Sequence, residues 1–139
     1  MRQASKAFTI MELMVVILIV GILASVMVPL MKARIDKSKW SEACTSAGSI
    51  RKAIHNYYGE MNITTVKALV GSNLGNSTVQ SILGFAPNDL EGTYFSPADY
   101  AISSINDDGV ASISVKSGSK DNSPSGSYVL QEDGKWVMQ

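Results

Sequence analysis

The sequence predicts an α+β protein: a long N-terminal helix, membrane-spanning in its first half, packed against a small antiparallel β-sheet head. Three observations carry this. Residues 13–31 form a run of nineteen without a charge, about 28 Å long as a helix and so close to bilayer thickness. Beyond them, Ala43, Ala47, Ile50, Ile54, Tyr57 and Met61 recur at spacings of four and three, which draws one apolar stripe along a helix. From Tyr94 onward the pattern turns to short alternating runs with turn residues between them, the mark of antiparallel strands.

The helix reads as continuous from Phe8 to about Glu60, roughly 80 Å at an α-helical rise. Residues 8–31 are apolar on all sides; residues 32–61 are amphipathic, with Glu42, Arg51 and Lys52 off the stripe. Gly59 and Asn62 are stop signals. Inside the apolar half, Pro29 removes one amide donor and crowds the carbonyl of Ser25, so the stretch from Gly21 to Pro29 is a weak point. Within the head, 62–139, NSTVQSILGF has Asn76 or Ser77 to cap a short helix that ends at Gly84. DYAISSI and VASISVKS then flank a turn at Asp107, Asp108 and Gly109, and YVLQ and KWVM flank EDG, giving three or four strands laid over the helix stripe. A head of this size makes a small core, so the helix must supply part of it.

Composition excludes several functions. Twelve basic and twelve acidic residues balance, so no bulk attraction to nucleic acid is implied. His55 is the only histidine, which leaves no multi-histidine metal site and no material for a histidine-based triad; an edge position in the helix–sheet contact suits it. Cys44, the single cysteine, precludes an intrachain disulfide and reads as a small packing residue. Asp107 and Asp108 lack the DxDxDG spacing of a calcium loop and read as a hairpin turn; Asp121 and Asn122 in the serine-rich loop are equally weak candidates. Tyr57, Tyr58, Phe85, Tyr94 and Tyr100 read as core rather than as an electron path. No catalytic residue, metal ligand or cofactor site is expected.

A secretory signal peptide accounts poorly for the start of the chain, because the apolar run is long and KARIDKSKW continues it in helical style without an A-x-A-like site. Charge alone leaves the orientation open. Arg2 and Lys6 precede the span, whereas Lys32, Arg34, Lys37 and Lys39 follow it, which taken literally would hold the larger part in the cytoplasm. Glu12 is the oddest residue, since a carboxylate at this depth costs on the order of 2.5–3.5 kcal/mol unless it finds a partner. A headgroup position favoured by the helix N-terminus is its simplest explanation.

The stretch KAFTIMELMVV, with Gly21 and Pro29 at their spacing, closely resembles the class III signal of type IV pilins and of the pseudopilins of type II secretion. The resemblance covers residue 6 to about residue 58. It implies that residues 1–7 are a leader cut between Ala7 and Phe8 by a prepilin peptidase, that Phe8 becomes N-methylated, and that its new amine pairs with Glu12 of a neighbouring subunit. Thr9, Glu12, Gly21 and Pro29 fall where the family places them; Ala7 departs from the commoner glycine. The implied protein is a type IV pilin-like structural subunit and not an enzyme. It waits in the inner membrane with its head outside the cytoplasm, then polymerises with like subunits, on an assembly platform, into an extracellular filament. A secretion pseudopilin is the close alternative, although the tyrosine–proline pair frequent after the helix of major pseudopilins is missing. A membrane-anchored binding module that never polymerises is the other.

Overall fold

The computed structural model describes residues 8–139; the expected leader, residues 1–7 with Ala7, lies outside the described residues. The chain divides into two compact units, Met1–Ile35 and Asp36–Gln139. Helix α1, Ile10–Glu60, is continuous across the boundary, and Pro29 lies inside it without ending it. It starts two residues later than Phe8, for a reason given with the site below.

In the second unit α1 supplies one wall of the core. Ala43, Ala47, Ile50 and Ile54 of the expected stripe are fully buried, Tyr57 is half-buried, and Met61 is exposed just beyond the helix. The stripe begins one step earlier than the sequence reading placed it, at Trp40, three residues before Ala43 and 5% exposed. Its indole packs against Phe95 at 5.0 Å, Tyr128 at 4.6 Å and Trp136 at 6.2 Å between ring centroids. The tilted arrangements are those aromatic quadrupoles favour.

Asn62 does more than mark a stop. It caps a second helix, α2, Ile63–Lys67, which the sequence reading did not contain; its side chain accepts from the Thr65 amide at 2.9 Å. Helix α3, Ser77–Ile82, is the expected short one, and Asn76 is its cap, accepting from the Thr78 amide. It closes as expected at Gly84. There φ is +78°, and the amides of Gly84 and Phe85 return to the carbonyls of Ser81 and Gln80.

Four strands follow: β1 (Tyr100–Ile105), β2 (Ala111–Lys116), β3 (Ser127–Leu130) and β4 (Trp136–Met138), all antiparallel in the order β1-β2-β3-β4. Ala111, Ile113 and Val115 point into the core as the alternation requires. Ser112, on the other face, is buried too; it pairs with Ser104 where the register shifts by a bulge after Ile102. The β1–β2 turn is organised by Asn106, whose side chain accepts from the amides of Asp108 and Val110. Gly109 is required there, because φ is +74° and a Cβ would run into the Tyr58 ring.

Tyr100 is fully buried, and its hydroxyl has no hydrogen-bond partner among the described residues. Burial pushes its pKa up to about 12, and the charges of Glu42 and Asp99 reinforce the rise. Below pH 10 the phenol is neutral in both folded and unfolded chains. Above it the unfolded chain ionises first, so stability falls as pH rises from 10 toward 12, by roughly 2–3 kcal/mol in all. Tyr100→Phe is therefore expected to unfold at the same urea concentration as wild type or slightly higher at pH 7. It is expected to lose markedly less stability than wild type at pH 11; comparing urea midpoints at the two pH values checks this.

Candidate functional site

The site is the first half of α1. Thr9 stands at the position before the helix: its hydroxyl accepts from the Glu12 amide at 3.2 Å and its carbonyl from the Leu13 amide at 3.2 Å. These are the bonds of an N-cap, and they explain why α1 begins at Ile10. The spacing Thr-x-x-Glu was present in the sequence and was the signal for it. Glu12 occupies the first turn, where its charge complements the helix dipole, and is exposed; no described cation lies within ion-pair distance. Phe8, 74% exposed, lies one turn away.

Every residue from 8 to 35 is exposed, although residues 13–31 carry no charge and are nearly all apolar. That combination is untenable in water over such a length: an apolar rod needs lipid or like rods around it. Gly21 meets nothing where a Cβ would stand, and beside it Met14, Ile17, Leu18, Ile22 and Ser25 line a groove of about 530 Å³. Small residues at such places let neighbouring helices approach. Eight residues on, Pro29 leaves the carbonyl of Ser25 without its usual donor, and separately the Ser25 hydroxyl donates to the carbonyl of Ile22 at 2.7 Å. A serine bonded back to its own helix softens the same turn, and its part here was not read from the sequence.

The head candidates resolve into structural roles. Arg51 and Lys52 line a groove of about 500 Å³ with Cys44, Gly48, His55, Val110 and Leu130. Arg51 donates to the carbonyls of Gln131 and Glu132 and so ties the β3–β4 turn to α1. His55 is exposed and stacked on Tyr58, while Cys44 is half-buried. Glu42 is half-buried, and one of its oxygens accepts from the amides of Tyr94 and Phe95 at 2.9 and 3.3 Å. Asp107 pairs with Lys67 at 2.6 Å, and that hydrogen bond and charge hold its carboxyl below the usual carboxylate range. In the serine-rich loop the Asn122 carbonyl accepts from Lys39 at 2.7 Å, and Lys120 bridges Glu91 and the carbonyl of Gly92.

Fold and site together define a class: an α+β head on an unshielded apolar helix whose capped start carries one acid. Residues 2–28 match the family model for the prokaryotic N-terminal methylation motif. The chain is similar to the fimbrial protein EcpC of Eikenella corrodens, 34% identical over 91 residues and 60% of each chain. It is also similar to the type IV major fimbrial protein FimA of Dichelobacter nodosus, 39% identical over 54 residues, 39% of this chain and 35% of that one. Core protein G of the type II secretion system of Klebsiella michiganensis is 38% identical over 56 residues, 40% of this chain and 39% of that one. The match thus spans 60% or less of the length of each of these relatives. The chain carries the methylation motif, has a pilin-like fold, and has type IV fimbrial proteins and a type II secretion protein as homologues.

Proposed function

We propose that this chain is the structural subunit of a type IV pilus-like filament. A prepilin peptidase removes residues 1–7 at the Ala7–Phe8 bond, and Phe8 is N-methylated. Loss of Arg2 and Lys6 leaves ten basic against twelve acidic residues. The mature chain then rests in the inner membrane by residues 8–31, with its head outside the cytoplasm, until an assembly platform adds it to a filament. The observation that carries this is Glu12: one exposed carboxylate, a turn behind Phe8, at the start of a helix whose next two dozen residues are exposed and nearly all apolar. An incoming subunit whose Phe8 amine meets Glu12 of its neighbour neutralises both charges, so pairing sets register and direction. Gly21 and Pro29 supply close approach and a turn that yields as helices pack. Nothing in this scheme requires catalysis by the chain, and the fimbrial relatives are structural proteins.

The similarity to core protein G favours a second reading, a pseudopilin of type II secretion, which would use the same helix and the same ion pair. Electron microscopy of fibres shed by cells carrying the chain at its natural level, with mass spectrometry of the same sample, separates the two. Long fibres composed mainly of residues 8–139, beginning with N-methylated phenylalanine, are expected for a pilin. Membrane-bound protein with the same terminus and no long fibres would favour the pseudopilin, and an intact Met1 would overturn both.

A further inference from the structure

At the end of the apolar run, Met27, Leu30 and Met31 line a groove of about 350 Å³ that Arg34 completes. Their spacings of three, one and three place all four on one helix face. Arg34 is exposed, and no described carboxylate lies within ion-pair distance of it; the nearest acid in sequence, Asp36, pairs with Lys39 at 3.7 Å. The groove therefore offers an apolar trough ending in a free guanidinium, three residues past Met31, the last residue of the uncharged run.

We infer that this groove holds one anionic glycerophospholipid while the chain resides in the membrane, its phosphate on Arg34 and an acyl chain along Met27, Leu30 and Met31. The inference rests on the membrane residence proposed above. A guanidinium binds phosphate through two parallel hydrogen bonds, which an ammonium cannot do. A second copy of this chain is a poorer occupant, since its matching segment brings Lys32 and Arg34, cations against a cation, with no free acid between them. A phospholipid supplies both halves of the complement at once. It also turns the excess of positive charge after the span into an anchor on the outer leaflet, which assembly must release.

The test uses the full chain in detergent, titrated with dioleoylphosphatidylglycerol or dioleoylphosphatidylcholine and read by native mass spectrometry as lipid retained per chain. Wild type is expected to retain phosphatidylglycerol in preference. Arg34→Gln should weaken that retention roughly fivefold. Lys32→Gln removes the same charge about 200° around the helix and should change it less than about twofold. Equal retention of the two lipids, equal loss in both variants, or an unchanged Arg34→Gln would overturn the proposal. Flotation with phosphatidylcholine vesicles separates the premises: a wild-type chain that floats but shows no preference sinks the lipid site alone, whereas one that does not float sinks the membrane reading with it.

Discussion

Glu12→Gln is expected to lower fibre yield at least about tenfold at equal membrane levels of the subunit, because it leaves the partner amine buried and uncompensated in the packed filament. Glutamine keeps the length, the helix start and the amide bond from residue 12 to the Thr9 hydroxyl, so the loss isolates the charge. Leader removal need not change with it. The measurement is shed fibre mass against membrane-bound subunit, with the mature N-terminus checked by mass spectrometry. Wild-type yield with normal subunit order would overturn the filament mechanism. A fall caused by failed cleavage would show as retained residues 1–7. Glu12→Asp, which keeps the charge on a shorter arm, is expected to recover part of the yield.

Trp40→Ala is expected to destabilise the head by about 3–5 kcal/mol, the range for deleting a large buried aromatic. Trp40 joins α1 to Phe95, to Tyr128 on β3 and to Trp136 on β4, so its loss opens a cavity under the last two strands at once. Urea unfolding of the chain in detergent, followed by far-ultraviolet circular dichroism, should show the midpoint fall at nearly unchanged slope. Trp40→Phe should recover a substantial part. A midpoint within about 1 kcal/mol of wild type would mean that the cluster contributes far less than its burial implies.

The elements most legible in the sequence were those with a long period or a strong local signal. Nineteen uncharged residues in one run announced an apolar helix, and the four–three spacing of Ala43 to Ile54 identified the buried face. The turn at Asp107–Gly109 and a cap at Asn76 or Ser77 were readable because glycine in a turn and asparagine or serine at a helix start are local signals, whereas the Tyr58 ring that also demands Gly109 was not. Trp40 was missed although it continues the stripe by a step of three, because the four basic residues just before it, Lys32, Arg34, Lys37 and Lys39, resemble a membrane-edge collar more than a core. Helix α2 was missed because five residues carry no periodicity. Asn62 was read as the end of one helix when it is also the start of the next.

By itself the sequence determined that this chain has an apolar N-terminal helix with one acid at its start, an amphipathic continuation and a small antiparallel sheet. Hydrophobic period and capping chemistry act over a few residues and survive without any fold around them. Only the tertiary structure decided that Glu42 holds the amides of Tyr94 and Phe95, that Arg51 ties down the β3–β4 turn, that Tyr100 is sealed in with an unpartnered hydroxyl, and that Trp40 joins helix to sheet. Each of these joins residues roughly fifty or more positions apart, or depends on what such residues enclose. Which distant groups meet is set by chain closure around a shared core, and no local pattern encodes that.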